Sequence, residues 1–112
     1  MSAFSSVVAV MIVRELNTAL PWYRSLLGDP DLTPMEGVAE WKIADNAWVQ
    51  VSEELERAGG SNVILQVDDI EAARREVDEK GITTGEIADY GFVRVLDLSD
   101  PDGNRVSLVQ DA

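Results

Sequence analysis

Carboxylates, amides and phenols are the side chains with which this chain could do chemistry. It has 21 acidic residues but no histidine and no cysteine. Histidine metal ligands, an imidazole general base and cysteine nucleophiles are therefore excluded. Acid–base chemistry would have to use a carboxylate or a tyrosine inside a pocket. Glu40 and Tyr90 are the candidates, because both lie near strands that we expect to line one.

The charge of the chain limits its partners. Nine basic residues against 21 acidic ones give a net charge of −12 and an isoelectric point near 4.1. Such a field repels phosphate backbones, so we expect no nucleic-acid partner, and it attracts cations, including cationic small molecules. The apolar run Val7–Val13 is far shorter than the ~20 residues of a membrane span. The absence of cysteine suits a cytoplasmic protein.

The scaffold that must position these side chains is predicted to contain two copies of one unit. Segments rich in β-branched residues indicate strands, and apolar residues at helical spacing before a glycine indicate a helix in each copy. The first unit has a strand, a helix and three further strands, at residues 6–13, 18–27, 32–36, 38–44 and 47–52. The second unit repeats that order at residues 62–67, 70–80, 86–89, 92–98 and 105–110.

We therefore predict an α+β fold in which two βαβββ repeats form a curved open-barrel sheet with the helices outside. A single domain spans residues 1–112, with repeat one at about 5–52, a linker at 53–61 and repeat two at about 62–111. One unit cannot bury both faces of its sheet. Two units form a cup whose concave inner face is a natural site for a small organic ligand.

Two motifs carry a resemblance to a known family. Residues 22–28 (WYRSLLG) resemble a helix that ends in an aromatic–leucine–glycine pattern, and residues 100–110 (DPDGNRVSLVQ) resemble a terminal hairpin. With the repeat, they make the chain similar to the vicinal oxygen chelate superfamily, also called the glyoxalase/bleomycin resistance/dioxygenase group. The DPDGN segment is also a strong turn signal in its own right, and we interpret it as structural.

The resemblance implies four metal-ligand positions, one on each of four inner strands. Carried over to this chain, they fall on Val8, Gln50, Asn62 and Ser107. None of these side chains is charged and one is aliphatic, so a divalent cation would have no anionic ligand. The resemblance therefore implies the fold and the pocket, and we expect neither a bound metal nor another cofactor.

Two tryptophans are expected to flank this inner face. With a turn at residues 45–46, a regular hairpin pairs Ile43 with Trp48 and Trp41 with Gln50, and alternation then places all four on one face. Tryptophans beside an amide suit a flat or cationic ligand. They could equally fill the cup or a dimer interface. The aromatic residues of the first helix are expected to lie in the core.

Three functions remain open. The first is a metal-independent binding protein that sequesters a cationic or aromatic drug or metabolite, with ligand contacts at Val8, Trp41, Trp48, Gln50, Asn62 and Ser107. The second is a lyase or isomerase that uses a pocket carboxylate or tyrosine. The third is a dimeric interaction module, since the resemblance also implies a homodimer. Arg94 could meet a substrate carboxylate in the cup or an acidic residue at its rim.

Overall fold

The computed structural model describes residues 3–111, so the ends of the predicted 1–112 domain lie outside the described residues. The order βαβββ occurs twice. The first unit contains β1 (Val7–Val13), α1 (Leu16–Leu27), β2 (Leu32–Met35), β3 (Val38–Ala44) and β4 (Ala47–Glu53). The second contains β5 (Asn62–Gln66), α2 (Ile70–Glu79), β6 (Ala88–Asp89), β7 (Val93–Ser99) and β8 (Arg105–Asp111), and a short 3₁₀ turn, Leu55–Arg57, lies between the units.

Each unit forms a four-stranded sheet with the same topology. The strand order is β1-β4-β3-β2 in the first sheet and β5-β8-β7-β6 in the second. In both, the first strand pairs in parallel with the fourth, and the other pairs are antiparallel. The parallel pair requires the helix as a crossover connection. The predicted α+β fold of two repeats is confirmed, and the sheets stay open and do not close into a barrel.

Both helices begin on a side chain from the last strand of their own unit. Glu53 Oε2 accepts from the Leu16 backbone N–H at 3.0 Å, and Gln110 Oε1 accepts from that of Ile70 at 2.7 Å. These acceptors satisfy N–H groups that have no partner inside a helix. Because Glu53 supplies one, α1 begins before the predicted residue 18, and Pro21 lies inside the helix and outside the first turn.

The core lies between the sheets and the two helices. Ala19 and Tyr23 on α1 and Ile70 and Val77 on α2 are buried, and they pack with alternate residues of the central strands. A cavity of about 230 Å³ is lined by residues of both helices, which therefore lie on the same side of the molecule. No helix among residues 3–111 is both long and apolar enough to cross a bilayer.

Candidate functional site

The sheet surface that points away from the helices, here called the open face, carries most of the predicted site. On β1, Met11 and Val13 are fully buried towards the helices, whereas Val8 and Val10 are 45% and 41% exposed. On β5, Ile64 is 67% exposed and lies between Asn62 and Gln66, which are also exposed. Exposure alternates along β5 as predicted. On β1 it does not, because Ile12 is 8% exposed although it shares the face of Val8 and Val10. Apolar side chains are therefore uncovered in the first half of β1 and at Ile64.

The predicted register of the β3–β4 hairpin is wrong. Ala44 pairs with Ala47 as expected, but Trp48 pairs with Lys42, and Ile43 is an extra residue at a bulge. A bulge shifts the alternation of one strand by one residue. Trp48 stays on the open face with Gln50, whereas Trp41 moves to the helix side.

Trp41 is consequently a core residue and is withdrawn from the ligand-contact set. Its indole Nε1–H donates to the Gly28 carbonyl at 2.8 Å, and the side chain is 1% exposed. Its ring lies 6.0 Å from that of Tyr23, which is fully buried on α1. The hydrogen bond to Gly28 fixes the end of α1 against β3.

The four positions that correspond to metal ligands do not fit a metal ion. The Gln50 amide donates to Glu40 at 2.7 Å and its oxygen accepts from Ser52 at 2.6 Å, so both ends of the amide are occupied. The Ser107 hydroxyl donates to Asp97 at 2.6 Å. Val8 has no atom that could bind a metal. Of the four side chains, Asn62 is the one polar group that forms no hydrogen bond with a described residue. Among residues 3–111, no three acidic side chains are grouped to hold a metal ion.

The two sheets meet along a seam between β1 and β5. Near Ile12 the neighbour is Ser61, whose hydroxyl accepts from the Ile12 backbone N–H at 3.3 Å. Near the start of β1, Val7 and Ala9 lie with Val63–Gln66 around one cavity. The two strands therefore run in opposite directions, and the seam has one end at Ile12 and Ser61 and another at Val7 and Gln66.

Asn104, from the turn between β7 and β8, fills the Ile12 end of the seam. It is fully buried, and its amide donates to the Ile12 carbonyl and to Asp100, both at 2.8 Å, and accepts from the Ser61 N–H at 2.9 Å. Gly59 closes the same region, because a Cβ at this position would lie 2.5 Å from the Asp102 carbonyl oxygen. The DPDGN segment therefore joins the two repeats, in agreement with its structural interpretation.

Asp100 extends this network to α1. Its carboxylate is 5% exposed and accepts from the Tyr23 hydroxyl at 2.6 Å, as well as from the backbone N–H groups of Asp102 and Asn104. Burial raises the pKa of the Tyr23 phenol far above its usual range, and the hydrogen bond to Asp100 and the charges of Asp100 and Asp102 add to the shift. Tyr23 is thus a neutral donor that helps to satisfy a buried anion.

The opposite end of the seam is empty of protein and forms the apolar crevice. This cavity of about 300 Å³ is lined by side chains from β1, β3, β4 and β5, among them Ile43, Trp48 and Ile64. The turn at this end is Asp45-Asn46. Both residues are exposed, so no side chain of the turn lies between the sheets. The backbone φ of Asn46 is +60°. Ile43, the extra residue at the bulge, lines both this crevice and the cavity between the helices.

A second cavity, the charged cavity, lies on the open face beside the Ile12 end. Its volume is about 400 Å³, and its polar residues are Ser61, Asn62, Asp97, Ser99 and Arg105. Of these, Asn62 was predicted from the sequence and the other four were missed. Asp97, Ser99 and Arg105 are the ones on β7 and β8. They could have been found, because alternation from Ser107 places Arg105 on the open face, and the hairpin partner of Ser107 is Asp97.

The remaining sequence candidates lie in different places. Arg94 is on the helix side, where its guanidinium donates to Glu71 of α2 at 2.6 Å. Its partner is therefore an acidic residue, as one of the two alternatives expected, but it lies on a helix and not at the rim of the cup. Glu40 is half-buried on the open face and is bound to Gln50. Tyr90 is 64% exposed in the connection between β6 and β7, outside both cavities.

Comparison with known proteins gives matches among solved structures. A glyoxalase/bleomycin resistance protein from Catenulispora acidiphila is 30% identical, covers 97% of this chain and 100% of its own, and superimposes with a TM-score of 0.90. No protein-family model and no curated protein matches the chain.

Two more distant structures share the fold. An antibiotic binding protein from a Streptomyces species is 21% identical, with all of both chains covered and a TM-score of 0.82. The bleomycin-binding protein of Streptomyces verticillus, in complex with copper(II)-bleomycin, is 18% identical over 96% of this chain and 97% of its own, with a TM-score of 0.77.

Proposed function

We propose a function from one premise: the chain belongs to the glyoxalase/bleomycin resistance protein family. The proposed function is that of a metal-independent small-molecule-binding protein. Its ligand is a flat organic drug or metabolite, aromatic or cationic, which is held and not transformed. The apolar crevice around Trp48 is the observation that carries this proposal.

The shape and chemistry of the crevice suit a flat apolar group. Trp48 forms one wall of the crevice and is half-buried, and Ile64 forms another and is 67% exposed. A ligand in the crevice would cover this apolar surface, which the folded protein leaves exposed to water. A volume of about 300 Å³ is at the small end of the range for ligand sites. An indole face also attracts a cationic ring or ammonium group.

The charge of the protein supports a cationic ligand. A net charge of −12 raises the local concentration of cations, and carboxylates of Glu40 and Asp97 lie on the open face. Two structural neighbours are binding proteins by name, one for an antibiotic and the other for bleomycin, in complex with copper(II)-bleomycin. They support an organic small molecule as the class of ligand.

Metal independence is proposed from the donor set. Val8 has no ligand atom, and Gln50 and Ser107 are occupied by hydrogen bonds to carboxylates of the neighbouring strand. A metal-bridged ligand would require these bonds to break. Binding is therefore expected to be unchanged after treatment with a chelator.

The experiment is calorimetric titration with 1-methylquinolinium, a flat two-ring cation, in the presence and absence of EDTA. We expect saturable binding that is equal in both conditions. Trp48→Ala should weaken it about tenfold, because one aromatic wall is lost. Leu55→Ala is the matched control, since Leu55 is 71% exposed and lies outside the crevice. No saturation, or equal effects of the two substitutions, would reject the proposal.

We also propose that the protein is a cytoplasmic homodimer that uses part of its open face for association. Val8 and Val10 remain exposed on that face outside the crevice, and exposed apolar side chains of this kind favour burial by a partner. Sedimentation velocity at tens of micromolar should give a dimer. A monomer as the sole species at that concentration would contradict this part of the proposal.

A further inference from the structure

The charged cavity holds opposite charges that do not satisfy each other. Asp97 and Arg105 both line it, yet no ion pair joins them among residues 3–111. Six of the nine basic residues do form ion pairs within this described part of the chain. Arg105, like Arg75 and Lys80, forms no ion pair with a carboxylate among residues 3–111, but of these three it alone lines the charged cavity.

The register of β7 and β8 keeps the two charges apart. Arg105 pairs with Ser99, and Asp97 pairs with Ser107, so the arginine and the aspartate are diagonal neighbours. The Ser107 hydroxyl, at 2.6 Å, holds one oxygen of Asp97 and leaves the other available. The backbone therefore fixes a cationic and an anionic group on the wall of one cavity.

Other polar groups in the cavity are also available. The side chains of Asn62 and Ser99 form no hydrogen bond with any residue that the structure describes. Repeat one differs, since there the polar side chains bind one another. The Gln50 amide donates to Glu40, and its oxygen accepts from the Ser52 hydroxyl. An amide and a hydroxyl next to a guanidinium supply the donors that a carboxylate accepts from.

We propose that the charged cavity binds a zwitterionic group of the ligand. Arg105, with Asn62 and Ser99, receives a carboxylate, and Asp97 receives a cationic nitrogen. The inference rests on the proposed small-molecule-binding function and deepens it, because it names the class of ligand as an aromatic molecule with an amino-acid-like head.

Strand β5 contributes to the walls of both cavities. Asn62 lines the charged cavity and Ile64 lines the apolar crevice, and they are successive open-face residues of β5. Their separation along the strand is about 7 Å. A bicyclic ring in the crevice and a charged head beside Asn62 therefore match the spacing.

The experiment compares three forms of 2-naphthylalanine by nuclear magnetic resonance titration at 150 mM salt. The free amino acid is a zwitterion, its amide is a cation and its N-acetyl derivative is an anion. We expect the zwitterion to bind about fivefold more tightly than either derivative, because each derivative loses one charged contact at an exposed site. Salt at this concentration screens the long-range field and isolates local contacts.

Substitutions assign each contact. Arg105→Gln should weaken the zwitterion and the N-acetyl derivative but not the amide, and Asp97→Asn should weaken the zwitterion and the amide but not the N-acetyl derivative. Arg75→Gln and Glu79→Gln are the controls, since they make the same charge changes at exposed positions on α2. They should leave all three affinities unchanged.

The outcomes separate this inference from the proposed function. If all three compounds bind equally well, or if Arg105→Gln weakens them all alike, the zwitterion site is rejected while binding in the crevice stands. If none of the three binds and 1-methylquinolinium also fails, the proposed function fails with it.

Discussion

The β3–β4 turn and the β7–β8 turn hold equivalent places in the two repeats and lie at opposite ends of the seam. One end is closed and the other is open. The turn of repeat two carries Asn104, whose side chain makes three hydrogen bonds at the contact between the sheets, one of them to the Ile12 carbonyl of repeat one. The turn of repeat one, Asp45-Asn46, is short and exposed and inserts nothing. The first end is closed by a buried polar network, and the second is a crevice of about 300 Å³.

The difference shows how one repeated unit can give both a structural joint and a ligand site. The backbone topology of the two sheets is the same, and both helices begin on an acceptor from the fourth strand. What differs is the content of the turn and the pairing of polar side chains on the open face. We therefore expect ligand binding at the turn of repeat one, which has no counterpart of the Asn104 side chain to fill the seam.

The largest expected effect is on the closed end. Asn104→Ala should reduce the free energy of unfolding by about 3 kcal/mol, because it leaves the Ile12 carbonyl, the Ser61 N–H and the Asp100 carboxylate each short of a buried partner. Urea unfolding measures this. Asn62→Ala is the matched control, with an exposed amide and an expected change within about 0.5 kcal/mol. Equal losses in both variants would mean that Asn104 does not join the repeats.

Tyr23 gives the next effect, with a dependence on pH. Tyr23→Phe should cost about 1–2 kcal/mol at pH 7, because Asp100 loses the donor at 2.6 Å. The folded pKa of Tyr23 is raised, so its contribution is complete below the unfolded pKa of about 10 and is lost as pH rises above it. The difference between the two proteins should shrink by about 1.4 kcal/mol per pH unit above pH 10. Curves that remain parallel to pH 11 would contradict the assignment.

Filling the open end should make it resemble the closed one. Ala47→Leu adds apolar volume to the wall of the crevice, so we expect unfolding stability within about 1 kcal/mol of the parent but a loss of binding of 1-methylquinolinium of about tenfold or more. Calorimetry gives both the affinity and the melting temperature. Full binding by a folded Ala47→Leu protein would place the ligand elsewhere.

The smallest effect is expected at the turn of repeat one. Asn46 has a φ of +60°, which glycine adopts without strain, and its side chain forms no hydrogen bond with a described residue. Asn46→Gly should therefore change stability by no more than about 0.5 kcal/mol. A loss that approaches the one for Asn104→Ala would show that the two turns are not as different as their contacts indicate.

Much of the fold could be predicted from the sequence, because alternation and helical spacing report which side of an element is buried. The choice of Val8, Gln50, Asn62 and Ser107 came from the family resemblance, and alternation along each strand then indicates which neighbours share their face. Trp41 was misassigned because a bulge at Ile43 breaks the period, and a bulge has no clear signal in the residues themselves.

The sites that depend on distant contacts could not be predicted in the same way. The start of α1 depends on Glu53, which is 37 residues away, and the closed end of the seam depends on Asn104 reaching Ile12. The apolar crevice forms where no such distant contact fills the seam, and a local sequence pattern does not predict where such a contact is missing. The charged cavity is an intermediate case: Arg105 was missed, although strand alternation from Ser107 would have been sufficient to place it on the open face.

The most direct test of the central claim is a map of amide chemical-shift changes during titration with 1-methylquinolinium. The account predicts that the saturating changes concentrate at the open end of the seam, in residues 47–49 and 63–66, and leave the turn at 100–104 unaffected. Changes that centre on residues 100–104, or that never saturate, would contradict the assignment of the open end as the ligand site.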